Sequence, residues 1–107
     1  MTALLALRLG THYSLKCKMT FNQYNFSKIL KDIEVERIRQ DAKFGVTRRL
    51  TPTEWLPILV EEVGEYATAI CDESDYDDMR SELIQIAALA VAIIQDLDEQ
   101  DSEVDLW

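Results

Sequence analysis

The sequence predicts an all-α protein, a helical bundle whose core is completed by oligomerisation. Only three glycines and two prolines occur in 107 residues, which is too little turn chemistry for many short strands. Apolar residues recur at three- and four-residue steps through most of the chain after residue 25. The stretch 86–94 is apolar on every helical face, and a helix buried all round in so short a chain needs neighbours from another copy.

The chain divides into an N-terminal arm over residues 1–24, a helical domain over 25–99 and an acidic tail over 100–107. The arm has no clear hydrophobic period. Met19 is an alternative start, because helical patterning begins soon after it. The arm also lacks the charged flank and the long apolar run of a signal peptide, so none is predicted.

A first helix is predicted over residues 26–44. Asn25 or Ser27 can cap its start, and Gly45 is placed to end it. Its apolar stripe has the spacing of one helical face and consists of Phe26, Ile29, Leu30, Ile33, Ile38 and Ala42, with Arg37 beside Ile38.

A second helix is predicted from the segment 51–54 to about Cys71. Thr51 and Glu54 fit a capping box, with Pro52 at the first helical position. Pro57 then lies inside the pattern, which predicts either a kink or a regular helix that begins only near Leu56.

A third helix is predicted over residues 76–98, with Ser74 as its cap. Its second half is rich in alanine, and small side chains permit close helix approach. We therefore expect this helix to lie in a subunit interface of a homo-oligomer, either a dimer or a tetramer. The acidic run from Asp96 to Asp105 is interpreted as a solvated, frayed tail.

Charge is unevenly distributed along the chain. The net charge is −9, and residues 51–107 contain a single basic residue, Arg80, among sixteen acids. Such a surface disfavours binding of a nucleic acid duplex, but it suits a cation site. The two cysteines match no zinc spacing, and the longest apolar run is nine residues, so the sequence predicts a reduced, cytoplasmic protein without membrane contact.

Three carboxylates cluster in the second predicted helix, at Glu61, Glu62 and Glu65. Like charges at these spacings repel, and apolar neighbours on both sides turn the cluster partly inward. Glu82 and Gln85 repeat the i, i+3 spacing on the third helix, which a short turn would place opposite. Oxygen ligands of this kind suit Mg²⁺ or Mn²⁺. By spacing alone, a solvated acidic helix face is an equal alternative.

The run Glu-Glu-Val-Gly-Glu (61–65) followed by Glu-Leu-Ile-Gln (82–85) resembles the EExxE…ExxD signature of MazG-like nucleotide pyrophosphohydrolases. The stretch 36–45 is similar to the first helix of phage and bacterial members, and the resemblance covers residues 34–98. It implies hydrolysis of nucleoside triphosphates, NTP or dNTP, to the monophosphate and pyrophosphate with Mg²⁺, or alternatively Mn²⁺, as cofactor. The family's last ligand is usually Asp, whereas this chain has Gln85, which offers an oxygen without a charge.

The resemblance also assigns roles to residues. Glu62, Glu65 and Glu82 would be metal ligands with Gln85 as a weaker fourth, and Glu61 would be the catalytic base. Basic residues near this segment are candidates for binding the substrate phosphates, namely Arg37, Lys43, Arg48 and Arg49. Phe44 or Trp55 could stack on a base, although core packing is the better prediction for Trp55.

Two alternatives remain open. The chain could be a non-catalytic, acidic helical oligomer that binds nucleotide or a protein partner, and Gln85 and the acidic tail favour this. A di-iron carboxylate bundle is weaker, because its Glu-x-x-His motif needs histidines and the helical region has none.

Overall fold

The computed structural model describes residues 22–46 and 49–105. This part of the chain is all-helical, as the sequence predicts, and contains no strand. Helix α1 spans Gln23–Phe44, α2 spans Pro52–Cys71 and α3 spans Tyr76–Asp105. Most of the predicted arm, together with Arg48, lies outside the described residues.

Helix α1 begins earlier than predicted. Its cap is Asn22, whose side-chain oxygen accepts hydrogen bonds from the backbone N–H groups of Tyr24 (3.1 Å) and Asn25 (3.3 Å). The predicted caps Asn25 and Ser27 are therefore wrong. The Asn22 side chain, three residues before Asn25, already accepts from the free N–H groups at the start of the helix. Gly45 ends the helix at a positive φ of 94°, as predicted.

Helix α2 begins with the predicted capping box. Thr51 accepts from the Glu54 N–H (3.3 Å), and the Glu54 carboxylate accepts from the Thr51 N–H (3.1 Å). The helix is continuous from Pro52 to Cys71, so the alternative start near Leu56 is wrong. Pro57 lies inside the helix, where its missing N–H forgoes a single backbone bond.

Helix α3 differs from its prediction at both ends. Asp75 rather than Ser74 caps it, accepting from the Asp78 N–H at 2.8 Å. The helix then continues to Asp105 instead of ending near 98, because no glycine or proline interrupts it. The reading of Asp96 as the start of a frayed tail is wrong, since Asp96 is buried at 5% exposure.

Helix α3 is the central element of the described structure. Both α1 and α2 pack against it, whereas α1 and α2 make no backbone contact with each other. Trp55, Ala88 and Leu89 are the buried hydrophobic residues. A groove of about 530 Å³ opens between α1 and α2, with α3 as its floor.

Much apolar surface stays uncovered. In the predicted stripe of α1, Ile33 is half-buried, but Phe26, Ile29 and Leu30 are exposed. On α3 the residues at 83, 87, 90, 94 and 97 share the face turned away from Ala88 and Leu89, and Ile94 is 56% exposed there. Among the described residues, no helix has the length and hydropathy that crossing a membrane requires.

Candidate metal centre

Three carboxylates converge where α2 meets α3. Glu62 and Glu65 lie one turn apart on α2, and Glu82 lies near the start of α3. The short turn between the helices folds α3 back along α2, so that one carboxylate oxygen of each residue lies within 4.8 Å of the other two. We call Glu62, Glu65 and Glu82 the acidic triad. The predicted approach of these three side chains is confirmed.

Two oxygens of the acidic triad lack a hydrogen-bond partner. The Oε2 atoms of Glu62 and Glu82 are enclosed by protein, and neither accepts a hydrogen bond from any described residue. Glu62 and Glu82 are half-buried, while Glu65 is exposed. A buried carboxylate oxygen without a donor is costly, so a cation could bind favourably at these two atoms. The Oδ1 atom of the buried Asp96 shares this feature.

The pKa shifts of Glu62 and Glu82 also reflect burial and the closeness of like charges. Burial raises the pKa of Glu62, and the neighbouring charges of Glu65 and Glu82 raise it further. The pKa of Glu82 is likewise raised, first by burial and then by Glu65. No lysine or arginine in the described ranges forms an ion pair with the triad. The charged forms are therefore destabilised, as expected for ligands of a cation.

The donor set of the acidic triad fits a divalent cation. It offers three carboxylates with closely spaced oxygen atoms, two of them already withdrawn from water. Hard, oxygen-only ligation of this kind suits Mg²⁺ or Mn²⁺ rather than zinc or copper. The triad could thus hold a metal ion.

Glu61, the predicted base, is exposed and lines the groove next to two triad members. The α2 wall of the groove carries Glu61, Glu62 and Glu65. The facing α1 wall carries Arg37 and Lys43. One wall is therefore acidic, while the other contains cations.

The predicted phosphate-binding residues have different surroundings. Arg37 is half-buried and donates to Asp41 at 2.9 Å, as well as to Gln40 and Gln95. Lys43 lies at the groove, with its Nζ 5.0 Å from the centroid of the Phe44 ring. Arg49 forms an ion pair with Glu99 at 3.2 Å. Arg48 lies outside the described residues.

Gln85 lies one helical turn after Glu82, as the sequence requires, and is half-buried. Its backbone carbonyl accepts a hydrogen bond from the Gln40 side chain at 3.4 Å. Its own side-chain amide makes no hydrogen bond to a described residue.

Sequence reasoning missed a second carboxylate site at the other end of the groove. The Oδ2 atom of Asp96 accepts hydrogen bonds from the Trp55 indole N–H (2.8 Å) and from the Leu50 backbone N–H (3.0 Å). Asp96 follows Leu89 by seven residues and so continues its buried face, a signal that the acidic neighbours obscured. Trp55 is buried at 5% exposure, which confirms the prediction of core packing.

Compared with known proteins, the chain matches no family model, no curated protein and no solved structure.

Proposed function

We propose that the protein is a Mg²⁺-dependent, MazG-like nucleotide pyrophosphohydrolase that cleaves NTP or dNTP to the monophosphate and pyrophosphate. One observation carries the proposal: the carboxylates of Glu62, Glu65 and Glu82 converge, and two of their enclosed oxygens lack any donor. Such an arrangement suits a divalent cation, and the short motifs around it resemble those of the MazG-like enzymes.

The two walls of the groove support a triphosphate as the ligand. A metal ion held by the acidic triad would coordinate phosphate oxygens on the α2 side of the groove. Lys43 on the α1 wall adds positive charge to an otherwise acidic cleft, while Arg37 is paired with Asp41 of the same wall. Phe44, which is 53% exposed at the same groove, offers a face on which a base can stack.

The chemistry assigns a separate role to Glu61. Bound Mg²⁺ would supply neutralisation of the phosphate charge and orientation of the leaving group. Glu61 takes a proton from the attacking water while the water oxygen adds to the α-phosphorus. The bond from the α-phosphorus to the α,β-bridging oxygen breaks, and pyrophosphate leaves with that oxygen. Glu61 is suited to this because it lies on the groove wall beside the triad and is open to solvent.

Pyrophosphate release tests the proposal. All NTPs and dNTPs should be screened with Mg²⁺ or Mn²⁺, and at least one should give metal-dependent release. Glu65→Gln should abolish it, because the triad loses a charged ligand. Glu34→Gln is the matched control, since Glu34 is an exposed carboxylate of α1 paired only with Lys31. An absence of release with every nucleotide would reject the proposal.

Metal binding has its own readout in stability. A ligand that binds only the folded state raises the free energy of unfolding by RT ln(1 + [L]/Kd), about 2.7 kcal/mol at a hundredfold excess over Kd. Millimolar Mg²⁺ or Mn²⁺ should therefore raise the melting temperature of the wild type and of Glu34→Gln. It should not raise that of Glu65→Gln. An unchanged melting temperature in the wild type, with and without nucleotide, would contradict the site.

We further propose that the chain is a homo-oligomer that pairs through α3. Its outward face carries Leu83, Ala87, Ala90, Ile94 and Leu97, with the alternating four- and three-residue steps of a helix-packing seam. Ala90→Glu places an unpaired charge at the middle of this face and should dissociate or unfold the protein. Light scattering that gives a monomer for the wild type at micromolar concentration would exclude the interface.

The second candidate is a non-catalytic oligomer that binds nucleotide or a protein partner. Its support is Gln85, which supplies no negative charge at the usual Asp position. Nucleotide binding by calorimetry, without pyrophosphate release from any substrate, would favour this candidate.

A further inference from the structure

Two ion pairs of the same spacing on α1 have different surroundings. Lys31 and Glu34 lie 3.6 Å apart and both are exposed, with side chains 67% and 62% accessible. Arg39 and Glu36 approach to 2.6 Å, and the Glu36 side chain is only 13% accessible. The first pair resembles an ordinary surface contact, whereas the second withdraws a carboxylate from water and holds it with an arginine.

The Arg39 guanidinium is oriented by this contact. Its Nε donates to both carboxylate oxygens of Glu36, at 3.1 and 2.8 Å, and its Nη2 donates to Oε1 at 2.6 Å. Its Nη1 makes no hydrogen bond to a described residue, and the side chain is 53% exposed. An enclosed carboxylate thus fixes one edge of a guanidinium whose other edge is available to a ligand.

Glu36 lies on the part of α1 that faces the start of α3. One turn before it, Asp32 accepts from Arg80 of α3 at 2.7 Å. One turn after it, Gln40 donates to the backbone carbonyl of Gln85 at 3.4 Å. These contacts hold the Glu36 turn against the segment 80–85, which carries the triad member Glu82.

The electrostatic environment of Arg39 also connects it to the triad. Its pKa is raised mainly by the hydrogen bonds and charge of Glu36, with a further contribution from the charge of Glu62. The charge of Glu62 thus contributes to the environment of Arg39, though less than Glu36 does. Arg37 differs, because its two amino groups already donate to Asp41, Gln40 and Gln95.

We propose that Arg39 binds a phosphate group of the substrate beside the metal site and that Glu36 is the positioning residue that orients it. The proposal deepens the proposed function and rests on it. Arginine suits this task because its planar fork can bind a carboxylate on one edge and phosphate oxygens on the other. The substrate class is accordingly a polyphosphate bound between the acidic triad and α1.

Calorimetric titration with inorganic pyrophosphate, in the presence of saturating Mg²⁺, tests this proposal. Arg39→Gln should weaken pyrophosphate binding by about tenfold or more, the usual effect of losing a charge-assisted hydrogen bond. Its affinity for Mn²⁺ alone should be equal to or tighter than that of the wild type, because a positive charge near Glu62 is removed. Lys31→Gln is the matched control and should bind pyrophosphate as the wild type does.

Glu36→Gln tests the positioning role. It should also weaken pyrophosphate binding, but its effect should disappear in a background that already contains Arg39→Gln, because Glu36 acts only through Arg39. Additive effects of the two substitutions would overturn that role. Melting temperatures measured in parallel establish that each variant is folded.

Two outcomes would overturn the inference on Arg39. One is wild-type pyrophosphate affinity in a folded Arg39→Gln protein, and the other is an equal loss of Mn²⁺ affinity, which would indicate a structural role. A wild type that binds Mn²⁺ but no Mg²⁺-pyrophosphate would reject the inference, whereas the release assay with NTPs and dNTPs decides the proposed function separately. If the wild type and the Arg39→Gln variant bind Mg²⁺-pyrophosphate with equal affinity, the inference on Arg39 is rejected and the proposed function is not.

Discussion

The pair formed by α2 and α3 contains two carboxylate sites, one near each end, which differ in the hydrogen bonds that they accept. Asp96 is buried, and its Oδ2 accepts hydrogen bonds from the indole of Trp55 and the backbone of Leu50. Glu62 and Glu82 are half-buried, and each has an enclosed oxygen without a donor. The Oδ1 atom of Asp96 is also enclosed without a donor, so the contrast lies in its Oδ2 atom. Two N–H groups donate to that oxygen, whereas no N–H or O–H group of a described residue donates to the carboxylate of Glu62 or Glu82.

The pKa directions express the same contrast. The Leu50 N–H, followed by the Trp55 indole, lowers the pKa of Asp96, so its charged form is stabilised. Burial and like charges raise the pKa of Glu62 and Glu82. Asp96 is therefore held in its charged form by hydrogen bonds from the protein, whereas the charged forms of Glu62 and Glu82 are disfavoured unless a cation binds.

The largest effect is expected at Asp96. Asp96→Ala leaves the Trp55 indole N–H and the Leu50 N–H without their acceptor, at about 1–3 kcal/mol for each unpaired buried group. The free energy of unfolding should therefore fall by about 3 kcal/mol, measured by urea denaturation. Asp96→Asn keeps an oxygen acceptor and should cost less. A loss below about 0.5 kcal/mol for the alanine variant would show that Asp96 does not anchor the start of α2.

An effect of opposite sign is expected at Glu82. Its pKa in the folded state lies above the ordinary value of 4.5, so the folded state binds more protons than the unfolded state. The contribution of Glu82 to the free energy of unfolding is fully present below pH 4.5 and is lost as the pH rises through the pKa of Glu82 in the folded state. Without metal at pH 7, Glu82→Gln should therefore be more stable than the wild type.

The difference between Glu82→Gln and the wild type should vanish as the pH falls to 4.5, and Mg²⁺ at pH 7 should reverse it. Denaturation curves at pH 4.5 and pH 7, with and without Mg²⁺, measure this. Asp96 behaves in the other direction, because its pKa is lowered: its contribution is present above the ordinary value of 3.8 and is lost as the pH falls through the lower folded value. A wild type more stable than Glu82→Gln at pH 7 without metal would contradict the contrast between the sites.

Much of the helical layout follows from local sequence signals. The capping box of Thr51 and Glu54 and the stop at Gly45 involve neighbours in the chain, and both are predicted correctly. The acidic triad was also predictable, because a short turn between two amphipathic helices brings i, i+3 pairs from each into register. These features depend on spacing alone.

Features that depend on tertiary contacts were not predictable in the same way. Asp96 is an acid among acids in the sequence, and its burial depends on Trp55 and Leu50, more than 40 positions away. Glu36 and Glu34 likewise look alike in the sequence, yet only Glu36 is turned towards α3. Which of several similar residues is buried depends on the crossing of α1 with α3, and this crossing leaves no local signal.

The smallest effect is expected at Gln85, which the sequence places one turn after Glu82 on the same side of α3. Its amide makes no hydrogen bond to a described residue, and under the proposed function its oxygen would join the triad as a neutral ligand. Gln85→Asp adds a negative charge, and the affinity of such sites increases with ligand charge. The dissociation constant for Mn²⁺ should then fall a few-fold, with the gain limited by the shorter side chain.

Titration of Mn²⁺ into the wild type and Gln85→Asp compares these constants directly, and we expect turnover to rise with the tighter binding. The matched control is Gln23→Asp. Gln23 is exposed at the start of α1, so this change adds the same charge away from the triad. An equal gain in both variants would assign the effect to overall charge. Unchanged constants in Gln85→Asp would remove Gln85 from the site and leave three carboxylates as the whole protein contribution.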